Sequence, residues 1–220
     1  MEGEPNLRLS QDPNVVNACL EVSPFFENTY VFGRKDKGKC LIIDPGDDPE
    51  KVLRTAEFHG LEVECILLTH GHLDHVIGCQ RIRERIGCKV GIHRLDEEMF
   101  VNSSRQGVVL GYPASDQISP DFYLEDGDEL ELAGFHIKVL HTPGHTSGSV
   151  CLHTGDILFS GDLLFAGSIG RTDLPGGSYE KLIKSVVNKV FTLDDDTLVF
   201  PGHGPRTTVG FEKKHNPFFI

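Results

Sequence analysis

Short apolar runs and helix-spaced apolar positions take turns along most of the chain. Residues 28–33 and 40–44 (CLIID) read as strands. Asp48 is then placed to cap a helix that starts at Pro49, carries Val52, Leu53 and Ala56 on one face, and stops at Gly60. Residues 61–68 (LEVECILL) open with alternation and close on a continuous apolar stretch, the pattern of a strand covered on both faces. Helical spacing returns over Val76–Ile86 with Arg and Glu outward, followed by a short strand at Lys89–His93.

The second half is built alike. Residues 128–132 (DELEL) and 135–140 (FHIKVL) predict strands joined by a tight turn at Ala133–Gly134, and SVCLH and DILFS two more around Thr154–Gly155. Ser178 caps a helix in which Leu182, Val186 and Val190 share a face, as do Ile183 and Val187, and TLVF (197–200) is the last strand. Residues 94–122 lack periodicity and are rich in Gly, Pro, Ser and Asn, so part of that segment is expected to be a long surface loop that could cover a site. The expectation is an α/β fold, one domain over residues 1–220 made of two sheet-and-helix halves.

Composition narrows the partners. The chain has 220 residues, 39% hydrophobic and 25% charged, ordinary for a globular protein with a full-sized core. No apolar run is long enough to span a membrane, and the polar, acidic start MEGEPNLRLSQD does not resemble a signal peptide. A net charge of −12 repels polyanions, and Arg81–Arg85 looks like the wet face of a helix rather than a basic patch, so no nucleic-acid partner is expected. Cys40, Cys65 and Cys151 sit inside apolar runs and no CxxC pair occurs among the six cysteines. Buried free thiols in a reducing compartment follow, and with them a cytoplasmic location.

The chemistry concentrates where strands end. ILLT runs into THGHLDHVIG, which holds His70, His72, Asp74 and His75, with Thr69 a weaker candidate. KVL runs into HTPGHTSG with His145, ILFS into Gly161–Asp162, and LVF into PGHG with His203. Functional groups gather beyond strand ends in open sheets, so these seven groups are expected to meet along one edge. Imidazole and carboxylate donors suit zinc, iron or manganese. Two metals with three protein ligands each and one shared carboxylate would use all seven; Asp162 is the natural bridge, since a carboxylate has two oxygens to divide. Open positions on each ion mark a catalytic site. His59, His93, His136, His153 and His215 read as ordinary core or surface histidines, and His141 as a strand-end residue that orients its neighbours.

These motifs resemble the metallo-β-lactamase superfamily over nearly the whole chain: Asp44 in LIIDPG, THGHLDH, His145 in HTPGHTSG, Asp162 in SGDLLF and His203 in FPGHG. The resemblance implies a four-layer αββα sandwich. It implies one metal on His70, His72, His145 and Asp162, a second on Asp74, His75, Asp162 and His203, and Asp44 behind them orienting a ligand or its loop. Within the superfamily the chain is most similar to compact glyoxalase II-like hydrolases, through GRTDLPGGS (170–178) and TTVGFEKKHNPF (207–218). Larger glyoxalase II enzymes carry a helical C-terminal domain for glutathione; the short segment after His203 implies its absence here.

The implied reaction is hydrolysis of a small thioester, an anionic thiol conjugate of the S-lactoylglutathione type, by a metal-bound hydroxide that Asp74 holds by a hydrogen bond. Two divalent ions are expected, zinc first, with iron or manganese as alternatives. Arg171 is the cationic side chain best placed for an anionic substrate, against the alternative that it braces its loop by pairing with Asp173. A single iron on His72, His145 and Asp162, as in the similar persulfide dioxygenases, is the main rival; a non-catalytic metal-binding protein is another. No G-x-S-x-G elbow suggests a serine nucleophile.

Overall fold

The computed structural model describes residues 9–22, 24–109, 111 and 119–220. Two six-stranded sheets carry the fold. The first runs, in spatial order, β1 (Val15–Val22), β2 (Glu27–Arg34), β3 (Lys39–Ile43), β4 (Glu62–Leu67), β5 (Lys89–Ile92) and β6 (Phe122–Tyr123). β1 to β3 pair antiparallel and β3 to β6 parallel. Parallel neighbours need crossovers, which α1 (Pro49–Phe58) supplies between β3 and β4. Two short helices, α2 (Leu73–Val76) and α3 (Cys79–Ile86), supply the next one.

The second sheet contains β7 (Glu129–Leu132), β8 (Phe135–His141), β9 (Val150–Thr154), β10 (Ile157–Gly161), β13 (Leu198–Pro201) and β14 (Thr207–Thr208). A small hairpin of β11 (Leu164–Phe165) and β12 (Ser168–Ile169) follows β10. Only β10 and β13 are parallel in this sheet, and α6 (Tyr179–Ser185) lies between them in the chain. Ala133 and Gly134 both have positive φ, as a two-residue type I′ turn requires, and Leu132 pairs with Phe135 across it.

Period-two alternation builds the layers. In β3, Cys40 and Ile42 face the core beneath α1 and α3, while Leu41 and Ile43 face the second sheet. In β9 and β10, Val150, Leu152, Ile157 and Phe159 join that central core, whereas Cys151 and Leu158 turn to Leu182, Val186 and Val190. Three apolar cores therefore separate four layers, helix, sheet, sheet, helix: the αββα sandwich expected. All six cysteines are free thiols, and five are buried.

Several elements depart from the sequence reading. The helix expected over Val76–Ile86 is broken at Ile77–Gly78, because the Gly78 amide leaves the helical ladder to donate to the Pro45 carbonyl, 3.0 Å away. Residues 94–122, read as loop in part, also hold a 3₁₀ turn at Arg94–Asp96, α4 (Glu97–Val101) and α5 (Ser103–Val109); residues 110 and 112–118 of the segment lie outside the described set, as do residues 1–8. Its helical turns are too short to show periodicity. α6 passes into a π-helical turn at Val186–Val190, in which Val186 and Val190 are buried and Val187 is exposed. β1 and α7 (Val209–His215) have no counterpart in that reading.

Candidate metal centre

All four apolar strands deliver their polar ends to one rim. His70 follows β4, His145 lies in the loop after β8, Asp162 follows β10 and His203 follows β13. His72 sits at the cap position that starts α2, and Asp74 and His75 lie within it. The seven groups converge in two subsets. His70, His72 and His145 bring ring nitrogens within 4.8 Å of one another, as do Asp74, His75 and His203 with their nitrogens and carboxylate oxygen. Nδ1 of His72 and Nε2 of His145 are 2.8 Å apart. Asp162 lies between the subsets: Oδ1 is 3.4 Å from His75 Nε2, and Oδ2 is 3.5 Å from His145 Nε2 and 3.7 Å from His203 Nε2.

Hydrogen bonds behind the rings decide which nitrogen carries the proton. A carbonyl oxygen can only accept, so Nδ1 of His145 donates to the Arg171 carbonyl (2.8 Å) and Nδ1 of His203 to that of Phe26 (3.2 Å). Each thereby turns the lone pair of Nε2 toward the centre. Asp44 Oδ2 lies 3.1 Å from His75 Nδ1 and accepts the Thr69 hydroxyl at 2.6 Å; that hydroxyl lies 3.1 Å from His70 Nδ1. One carboxylate thus orients a histidine from each subset, directly for His75 and through Thr69 for His70. Thr69 is a relay here.

The residues fit metal ions on a direct observation. Nε2 of His70, Nε2 of His75 and Oδ1 of Asp162 are buried and have no hydrogen-bond partner. A buried polar atom left unsatisfied costs about 1–3 kcal/mol, and bare donors in both subsets and on the carboxylate between them are better explained by electrophilic ions bound there.

Before any ion is bound, the surroundings push imidazoles of the two subsets in opposite directions. Burial, then the neighbouring imidazoles, push His70 well below its usual value, and burial with His145 beside it takes His72 down to about 4. Both present neutral lone pairs. Burial opposes charge on His75 and His203 as well, but the Asp162 and Asp44 carboxylates hold His75 well above the usual range, and Asp74 and Asp162 raise His203. Burial alone would lift Asp74, yet the hydrogen bond with His203 and the His75 charge bring it below the usual carboxylate range.

Arg171 reaches the site through its backbone. Its guanidinium is exposed and forms a two-pronged pair with Asp173 at 2.9 and 2.8 Å, the bracing contact weighed against a substrate role. His141 donates Nε2 to the Ser147 carbonyl at 2.9 Å and stacks on His93, 4.1 Å between centroids, as an orienting residue would. Two buried carboxylates escaped the sequence reading. Glu27 is fully buried, with Oε1 3.7 Å from His75 Nδ1, and burial raises its pKa well above the carboxylate range. Asp96 bridges the loops that carry His70, His72 and His145. A charged residue opening the apolar run ENTYVF was the available signal for Glu27; Asp96 had none. Among the described residues no helix is long and apolar enough to cross a membrane.

Residues 22–203 match the metallo-beta-lactamase superfamily profile. The chain is 40% identical to the hydroxyacylglutathione hydrolase GloC of Haemophilus influenzae, over 90% of this chain and 95% of that protein. Among solved structures, the BLEG-1 B3 metallo-beta-lactamase superposes with a TM-score of 0.86 at 35% identity, covering 93% of this chain and all of the other (100%). TTHA1623 in a di-iron-bound form gives 0.81 at 38% identity, covering 91% and 99%.

Proposed function

The chain belongs to the metallo-β-lactamase superfamily, and on that footing we propose that it is a binuclear hydrolase of a small thioester, an anionic thiol conjugate of the S-2-hydroxyacylglutathione type. The observation that carries the reading is the set of buried atoms without hydrogen-bond partners, His70 Nε2, His75 Nε2 and Asp162 Oδ1, on neighbouring side chains of one rim. His70, His72 and His145 would hold one divalent ion and Asp74, His75 and His203 the other, with Asp162 shared. Zinc suits this nitrogen-rich set; iron or manganese is compatible with it, and a similar protein has been solved with two irons. When bound, such ions lower the pKa of water from about 15.7 toward about 7 and polarise a carbonyl oxygen.

The protein's own groups set up the rest. Asp74, ionised at neutral pH, accepts a hydrogen bond from the attacking water and aims it at the thioester carbon. Asp44 and the Arg171 and Phe26 carbonyls fix the imidazoles so that the rings do not turn during the reaction. A thiolate with a parent pKa near roughly 8.5 departs without a strong acid beside it, which matches a site whose groups serve metal and water. The acyl-glutathione class is supported by the likeness to GloC. Arg171 is the proposed contact for a substrate carboxylate, exchanging Asp173 for it.

The iron-dependent persulfide dioxygenase is the second reading, favoured by the close approach of His72 and His145 with Asp162 beside them, two histidines and one carboxylate. Metal analysis of protein purified without added metal, joined to assays of thioester cleavage and persulfide-dependent oxygen uptake, separates the two. Two ions per chain with thioester cleavage is the expected result; one iron per chain with oxygen uptake overturns it. A metal-loaded protein inert toward esters, thioesters and persulfides would leave a non-catalytic metal binder.

A further inference from the structure

Asp96 is almost wholly buried, 1% exposed, and touches both loops that bear the three-histidine subset. Its Oδ2 accepts the amide of Gly71 (3.0 Å), which separates His70 from His72. The same oxygen accepts the hydroxyl of Thr146 (2.6 Å), the residue after His145, and Oδ1 accepts the Gly148 amide at 2.7 Å. Across the second loop, His141 Nε2 holds the Ser147 carbonyl. Three consecutive residues after His145 are therefore tied down, two of them by one carboxylate.

The packing agrees with the hydrogen bonds. A Cβ on Gly71 would lie 2.9 Å from the Asp96 carbonyl oxygen and 3.0 Å from Met99 Cβ; one on Gly148 would lie 2.6 Å from Asp96 Oδ1. Both loops carry glycine where the 96–99 segment presses on them. All three donors to the Asp96 carboxylate are neutral, and among the described residues no lysine or arginine pairs with it. A buried carboxylate served only by dipoles favours a cation nearby.

We propose that Asp96 is a positioning residue for the three-histidine metal site, setting the spacing between the His70–His72 turn and the His145 loop and adding buried negative charge beside the cation. The proposal rests on the two-metal reading above. It assigns a function to the strap at residues 94–100, and it makes the two metal sites separable: Asp96 serves one, while Asp74 and His203 belong to the other.

The test is zinc titration of chelator-stripped full-length protein against a chromophoric competitor. Asp96→Asn is expected to weaken one of two sites about 10–100-fold and leave the other within about twofold. In a His203→Ala background the loss should persist at the remaining site; in a His72→Ala background it should vanish. Equal weakening of both sites, with a lower melting temperature of the metal-free protein, would mean a purely structural residue and overturns the proposal, as does an unchanged affinity. Should Asp96→Asn not fold, Thr146→Val keeps the side chain's shape while removing its hydrogen bonds to Asp96 and to Ser149 Oγ (2.7 Å), and is expected to weaken the same site by a smaller factor; no change there overturns the proposal equally. Wild-type protein that binds no metal would instead sink the two-metal reading itself.

Discussion

Asp44 holds His75 from behind, its Oδ2 3.1 Å from Nδ1, so that the imidazole's other nitrogen faces Asp162. Asp44 itself has φ of 49°, in the left-handed region that asparagine tolerates and most residues avoid. Asp44→Asn therefore keeps the backbone and removes the charge. Metal affinity is expected to fall about 10–100-fold, as when such outer hydrogen bonds to a metal-binding histidine are lost. Because Thr69 relays the same carboxylate to His70, both ions should be affected, measurable as lower stoichiometry after dialysis.

Arg171 offers a sharper separation of side chain from backbone. The carbonyl that accepts from His145 survives any substitution, whereas the guanidinium does not. Arg171→Ala should leave metal content unchanged and lower kcat/KM for an anionic thioester about tenfold. An unchanged kcat/KM would mean that the side chain only braces Asp173, through an exposed pair of small worth.

Removing the metals should loosen the fold as well as stop turnover. Each ion present at about 1,000 times its dissociation constant stabilises the native state by about 4 kcal/mol, so two together contribute about 8 kcal/mol. For a chain of this size that corresponds to a fall in Tm of about 20 °C on chelation. Differential scanning calorimetry with and without chelator reads it directly, and recovery on adding zinc should be complete.

Thiol chemistry tests the cores. Burial pushes Cys40, Cys65 and Cys151 up to about 12 and Cys79 well above the usual thiol range. A raised thiol pKa means less thiolate at a given pH, so at pH 8 these groups are almost entirely protonated as well as enclosed. Cys19, the exposed one, is raised less. An alkylating reagent should modify Cys19 slowly in the native protein and all six thiols in denaturant, as mass spectrometry would count.

What could be read along the chain was what lies close in sequence to an apolar strand. His70, His145, Asp162 and His203 each follow a run of Ile, Leu, Val or Phe within a few positions, so strand ends located them before any geometry was known. Two sheet-and-helix halves were legible in the same runs, and the resemblance implied their αββα stacking, which places the two faces of segments such as CLII in different cores. Asp96 escaped because its partners, Gly71 and Gly148, lie 25 and 52 positions away in a segment without periodicity. The break at Gly78 escaped for a related reason: a carbonyl at Pro45 competes for its amide, and nothing near Gly78 announces that.

The division of the seven groups between the two sheets has a consequence for the order of synthesis. His70, His72, Asp74 and His75 emerge on a turn of the first sheet, while His145, Asp162 and His203 belong to the second, the last of them only after β13. At about 5–20 residues per second, translation leaves the early histidines waiting several seconds for their counterparts. An ion caught in that interval would meet an incomplete coordination set. On the proposed ligand set, correct loading would be a late event, open to competition among whatever metals the newly finished chain encounters.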